Sequence, residues 1–181
     1  MGKRLTLILG GARSGKSDFA QALAQKRGGD DVLFVATAQA FDDEMRTRIA
    51  NHRVARPSAW KTLEAPRDVA AALRTAPVAR VVLIDCVTLW ASNFLLANEN
   101  ATDWCELDDL IEWYRESSCE LIIVSNEVGM GIVPDNALAR AYRDLLGRAN
   151  KKLAEKADQV LLLVAGLAID LKSNAVRLED L

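Results

Sequence analysis

Gly10-Gly11-Ala12-Arg13-Ser14-Gly15-Lys16-Ser17 reads G-x-x-x-x-G-K-S, and its flanks decide how it folds. An apolar run, Leu5 to Leu9, precedes it, and Phe19, Ala20, Leu23 and Ala24 follow at helical spacing. Strand, glycine-rich loop and helix in that order form a phosphate-binding loop. Glycines let the backbone curl so that successive N–H groups face an anion, and the following helix adds the positive end of its dipole. Lys16 suits the β- and γ-phosphates of a nucleoside triphosphate, and the Ser17 hydroxyl suits Mg²⁺. A glycine-rich hairpin turn would explain neither Lys16-Ser17 nor the helix behind them.

Outward from this loop, short runs of branched aliphatics recur at Val32–Ala36, Arg80–Ile84, Leu121–Ser125 and Val160–Val164. They are apolar throughout rather than alternating, which predicts strands buried on both faces of a mostly parallel sheet. Helices are expected between them at Lys16–Lys26, Asp42–Ala55, Arg67–Arg74, Thr88–Ala97, Thr102–Ser117 and Asn136–Ala157. In the last, Asp135 or Asn136 can cap, and Leu138, Tyr142, Leu145, Ala149 and Leu153 form the apolar stripe. Arg140, Arg143, Arg148, Lys151 and Lys152 fall on its solvated side. Trp60–Leu63 reads as a short edge strand, and Leu167–Val176 as a returning antiparallel strand. No repeat or linker divides the 181 residues, so one α/β domain is expected.

Half of the residues are hydrophobic and the net charge is −2, which gives no global field for nucleic acid or a membrane surface. Cys86, Cys105 and Cys119 are widely spaced and His52 is the single histidine, so neither a disulfide framework nor a zinc site is expected. Lys3-Arg4 before Leu5–Leu9 imitates a signal peptide only faintly, and no run is long enough for a membrane span. A cytoplasmic protein is the expectation.

Asp85 ends an apolar strand. It fits the Mg²⁺ shell of a phosphate-loop fold better than a plain helix cap. Ser125 to Pro134 leaves another strand as a shaped loop in which Glu127 is either a general base or the partner of a neighbouring cation. Phe41, Met45, Ile49 and His52 fall on one helical face, with Arg46, Arg48, Arg53 and Arg56 around them. That crowding is costly unless an anion sits among the arginines. His52 is therefore either a packed core histidine or a nucleophile toward phosphorus; spacing leaves both readings open.

The chain resembles the bifunctional adenosylcobinamide kinase/adenosylcobinamide-phosphate guanylyltransferase family of cobalamin synthesis. The matching stretches are GGARSGKS at 10–17, ATAQAFDDEMRTRIANHRVARPSAW at 36–60, TLEAP at 62–66, DCVTLWASN at 85–93, VSNEVGMGIVP at 124–134, LARAYRDLLGRAN at 138–150 and AGLAIDLK at 165–172. The resemblance implies a RecA-like single phosphate-loop domain with helices on both faces of the sheet, and a homotrimer. It implies two reactions. ATP or GTP phosphorylates adenosylcobinamide, and GTP then donates GMP to the adenosylcobinamide phosphate through a GMP–histidine at His52. The nucleotide-binding positions it implies are Gly10 to Ser17, Ala36, Thr37, Ala38, Arg53, Val54, Ala55, Arg56, Glu64 and Asp85. A proline is usual in the family where Ala168 stands, and a leucine where Val87 stands; both positions lie away from the chemistry. A plain small-molecule kinase and a nucleotide-switched binding module are the alternatives. The intact His52 block speaks against the first, and the Lys16, Ser17 and Asp85 set against the second.

Overall fold

The computed structural model describes residues 3–40, 43–54, 56–98, 101 and 103–176, the side chains of Glu44, Arg48, Asn51 and His52 excepted. Its strands are β1 (Leu5–Gly10), β2 (Val32–Ala36), β3 (Lys61–Glu64), β4 (Val81–Asp85), β5 (Glu120–Val124), β6 (Gln159–Val164) and β7 (Leu167–Asp170). They form one seven-stranded sheet in the order β3-β2-β4-β5-β1-β6-β7. Every neighbouring pair is parallel except β6 and β7. The helices are α1 (Lys16–Gly28), α2 (Asp43–Val54), α3 (Val69–Thr75), α4 (Val87–Ala97), α5 (Cys105–Glu116), α6 (Ala137–Lys156) and α7 (Leu171–Asn174).

The apolar strands are buried on both faces, as their unbroken hydrophobicity requires. Ile8, Phe34, Leu83 and Ile122 pack with Ala20 and Ala24 of α1 on one face. Leu7, Val35, Ile84 and Ile123 pack on the other with Val69, Trp90, Leu110 and Leu146, from α3 to α6. Alternation along each strand feeds two separate cores.

Most sequence-expected boundaries shift by a residue or two, with identifiable reasons at four ends. Asn136 rather than Asp135 caps α6, its Oδ1 accepting from the Ala139 amide at 2.7 Å. The stripe on α6 runs through Leu145, Leu146, Ala149, Asn150 and Leu153, while Leu138 is exposed. The returning strand stops at Asp170, whose carboxylate caps α7 through the Lys172 and Ser173 amides. Helix α3 begins only at Val69 because Asp68 is left-handed (φ 48) and its amide is held at 3.2 Å by Glu106. The edge strand is β3, one residue later than expected, and buried Trp60 before it donates to the Gly29 carbonyl at 3.0 Å. Asp42, Ala55 and Thr102, at expected helix ends, lie outside the described residues, as does Phe41 of the expected stripe. Met45 and Ile49 of that stripe are half-buried.

Candidate nucleotide site

The register of the sheet assembles the site before any side chain is considered. Ala36 stands level with Glu64 on one side and Asp85 on the other. Asp85 is level with Val124, and Val124 with Ile8. Carboxyl ends of parallel strands are where α/β sheets bind ligands. Here that edge carries Glu64, Ala36 to Ala38, Asp85, Glu127 and the loop from Gly10 to Ser17.

The loop is held by main-chain bonds on both sides. The Glu127 amide, just past β5, donates to the Gly10 carbonyl at 3.0 Å, and the Gly166 amide of the β6–β7 turn donates to the Ser14 carbonyl at 3.1 Å. Gly10 has φ 153, and a Cβ there would lie 2.4 Å from the Leu163 carbonyl oxygen and 2.7 Å from Ser14 Oγ. No side chain fits between loop and β6. Lys16 is buried, and its Nζ donates to the Gly11 carbonyl at 2.5 Å and lies 3.4 Å from Ser14 Oγ. The ammonium therefore sits inside the curl of the loop. Gly15 (φ 90) precedes α1, which starts at Lys16 and Ser17, so the helix dipole adds to the lysine charge.

Asp85 closes β4 half-buried, and the Asp85–Cys86 peptide is cis. Glu64 is exposed at the end of β3. Arg56 lies over the Phe34 ring, 3.6 Å from its centroid, and donates to Thr62 Oγ1 at 3.4 Å. Burial lowers its guanidinium pKa, Asp85 and Glu64 oppose that, and Arg53 adds to it. Its Nε is buried with no hydrogen-bond partner among the described residues. Glu127 is half-buried, and its Oε1 accepts from the Gly129 amide at 2.6 Å, so the turn of the following loop fixes one carboxylate oxygen.

Among the arginines of the second helical segment with described side chains, Arg53 acts on Arg56 through its charge, while Arg46 is paired within its own helix. Arg46 is taken up by Asp43 of its own helix at 2.6 Å. Arg53 and Val54 are exposed, and of these arginines it is Arg56 that reaches across to the row of strand ends. His52 lies in the last turn of α2, with its side chain outside the described residues, as are Ala55 and the side chain of Arg48.

Three sets of buried polar anchors escape a reading by sequence pattern. Thr37 and Asn93 tie the exits of β2, β3 and β4 together. Ser125 donates to Asn150 at 2.6 Å, and Asn150 donates to the Asn126 carbonyl at 2.9 Å, fixing the exit of β5. Glu106 accepts from Arg67 Nε and Trp90 Nε1, both at 2.6 Å, and from the Asp68 amide. Its bond with Glu106 raises the Arg67 pKa. The signal available for Asn93 was a lone carboxamide in the apolar stretch Val87–Ala97.

No group of three or more histidine, cysteine or acidic side chains among the described residues could hold a metal ion. Ser17 and Asp85 supply one hydroxyl and one carboxylate. That donor set suits Mg²⁺, which takes few protein oxygens and completes its shell with phosphate and water. No helix among the described residues is long and apolar enough to cross a membrane.

Known proteins match this chain over most of its length. Residues 6–171 match the model of the family described as cobinamide kinase / cobinamide phosphate guanyltransferase. A relative from Pseudomonas aeruginosa, the bifunctional adenosylcobalamin biosynthesis protein CobP, is 47% identical over 93% of this chain and 97% of its own. The bifunctional adenosylcobalamin biosynthesis protein CobU of Salmonella typhimurium is 41% identical over 93% and 99%. Among solved structures, the flagellar accessory protein FlaH of Methanocaldococcus jannaschii superposes with a TM-score of 0.54 at 14% identity, covering 92% of this chain and 75% of that one. A prototypical ATPase from the type III secretion system of pathogenic bacteria gives 0.59 at 13%, covering 98% and 60%. The fold is the RecA-like phosphate-loop α/β fold.

Gly10→Ala should strain the loop and displace it from β6. Backbone forced out of a glycine-only conformation costs about 1–3 kcal/mol, so chemical denaturation should show a loss of that size, with GTP affinity at least tenfold weaker by titration. Unchanged values in both would contradict the close contact with Leu163.

Proposed function

This chain belongs to the cobinamide kinase / cobinamide phosphate guanyltransferase family, and we propose that its carboxyl-edge site carries out both reactions on adenosylcobinamide. The observation that carries this reading is the collection of the phosphate loop, Asp85, Glu64 and Arg56 on one sheet edge, with α2 following β2, the strand between β3 and β4.

In the kinase step, the triphosphate of ATP or GTP lies along Gly10 to Ser17. Lys16 and the loop amides stabilise charge on the γ-phosphoryl oxygens. The hydroxyl of adenosylcobinamide attacks the γ-phosphorus, the bond to the nucleoside diphosphate breaks, and Glu127 accepts the hydroxyl proton. Bound Mg²⁺ supplies charge neutralisation to the phosphates, and Ser17 and Asp85 are the residues that would hold it.

In the guanylyl step, the neutral imidazole of His52 attacks the α-phosphorus of GTP. An N–P bond forms, the bond to the β-phosphate oxygen breaks, and pyrophosphate leaves. Arg53 and Arg56 offset charge on the α-phosphoryl oxygens, while Ala36, Ala38, Val54, Ala55 and Glu64 complete the nucleotide contacts. Thr37, fully buried, supports the β2 exit beneath them rather than touching the nucleotide. The phosphate of adenosylcobinamide phosphate then attacks the same phosphorus, giving adenosylcobinamide-GDP and freeing the imidazole. Arg56 supports this assignment. A guanidinium desolvated on an aromatic face, its Nε without a partner among the described residues, is suited to an anion.

With labelled GTP and Mg²⁺ but no corrinoid, the protein should acquire one covalent GMP, labile in acid and stable in alkali as a phosphoramidate is. His52→Asn should abolish the adduct and still phosphorylate adenosylcobinamide; label persisting in that variant would place the nucleophile elsewhere. Glu127→Gln keeps the oxygen bonded to Gly129 but removes the base. It should slow phosphorylation about 10²-fold and spare guanylylation of supplied adenosylcobinamide phosphate. Equal loss of both activities would assign Glu127 to the fold or the metal.

A further inference from the structure

The level row of Glu64, Ala36 and Asp85 is held past its strand ends by two buried side chains. The last main-chain rung is the Ala65 amide on the Ala36 carbonyl at 2.9 Å. Beyond it, the fully buried Thr37 hydroxyl spends both its capacities on the residue after Asp85. It donates to the Cys86 carbonyl at 2.7 Å and accepts from the Cys86 amide at 2.9 Å. Asn93, 6% exposed, then uses its Nδ2 on two carbonyls, those of Thr37 and Pro66, each at 2.9 Å. One hydroxyl and one carboxamide thus fasten the exits of β2, β3 and β4 to one another.

The platform carrying Asn93 is itself held. One turn earlier on α4, Trp90 is fully buried and donates to Glu106, which also holds Arg67 and the Asp68 amide next to Pro66. Trp104 packs edge-on to Trp90 at 4.7 Å. The segment after Glu64 is gripped by Asn93 at Pro66 and by Glu106 at Arg67 and Asp68. A leucine would satisfy the apolar surroundings of α4 without the desolvation cost of a carboxamide. What the carboxamide adds is a fixed distance between two strand exits, set by two donors on one nitrogen.

We propose that Asn93 is a positioning residue for the nucleotide. It acts through Thr37 and the Glu64 to Pro66 segment to hold the β2, β3 and β4 edges of the site in the arrangement that binds GTP. This rests on the reading of that edge as the nucleotide site. Asn93 itself touches main-chain carbonyls, so its influence on the ligand passes through Thr37, Glu64 and Asp85.

The test is GTP titration with Mg²⁺ on the full chain in wild type, Lys16→Ala, Glu64→Gln, Asn93→Leu and the Asn93→Leu/Glu64→Gln double variant, with thermal melts alongside. Asn93→Leu should weaken GTP binding about tenfold while staying folded. Glu64→Gln should cost clearly less in the Asn93→Leu background than in wild type, because groups that act as a unit are not additive. A purely structural role leaves the Glu64→Gln cost equal in both backgrounds, and that result, or GTP affinity within about twofold of wild type in folded Asn93→Leu, overturns the proposal. If Asn93→Leu does not fold, Thr37→Val and Thr37→Ser decide it. Loss with valine and rescue by serine support the latch, and equal affinity in the two overturns it. Wild-type affinity in Lys16→Ala would overturn the nucleotide site itself, and the latch with it. Loss in Lys16→Ala with none in the Asn93 and Thr37 variants overturns the latch alone.

Discussion

The backbone of the loop between β1 and α1 is the constraint on which the rest of the site depends. Gly10 passes so close to the Leu163 carbonyl that the chain has room for no side chain there. That contact sets how the loop leaves the sheet, and therefore where Lys16 and the start of α1 stand. The Glu127 and Gly166 amides then bond to the loop from either side. The exit of β5 and the β6–β7 turn are thereby placed by the same few atoms. Anion binding by main-chain N–H groups needs a curl of fixed shape, and these neighbours supply it.

A second layer of order comes from polar groups buried where apolar ones would pack as well. Thr37, Asn93, Glu106, Ser125 and Asn150 are all nearly inaccessible, and each bonds to main chain or to another of these polar groups. Satisfied buried hydrogen bonds add only about 1 kcal/mol each to net stability. Their geometric demands are strict, because a displaced partner leaves an unsatisfied group in a dry interior. They cluster at the carboxyl edge, where the strands have ended and the sheet ladder no longer dictates positions. The sheet fixes the row of strand ends, and the buried polar groups fix the loops beyond it.

How much of this was legible in the sequence follows from how local each cause is. The phosphate loop is eight consecutive residues whose chemistry is complete in itself, so Gly10 to Ser17 and the strand and helix beside them were readable. The parallel strands announced themselves by unbroken apolar runs. Asn93 is different, since its partners Thr37 and Pro66 lie 56 and 27 residues away, and periodicity carries no trace of them. Local capping, tertiary competition and position within a helix explain the other differences. Asp170 captures the amides of Lys172 and Ser173 and ends the last strand early. Glu106 claims Arg67 and the Asp68 amide, which delays α3. Leu138 belonged to the apolar stripe by spacing, yet it falls in the first turn of α6 and is exposed. His52 as a nucleophile came from the resemblance and not from spacing, which left packing and catalysis open.

We propose that one edge of one sheet converts adenosylcobinamide first to its phosphate and then to its GDP derivative. Incubation of the purified chain with adenosylcobinamide, GTP and Mg²⁺, followed by mass analysis of the corrinoids over time, tests it directly. Adenosylcobinamide phosphate should rise and then fall as adenosylcobinamide-GDP accumulates with release of pyrophosphate. Corrinoid recovered unchanged while GTP binds normally would rule out both reactions at this edge.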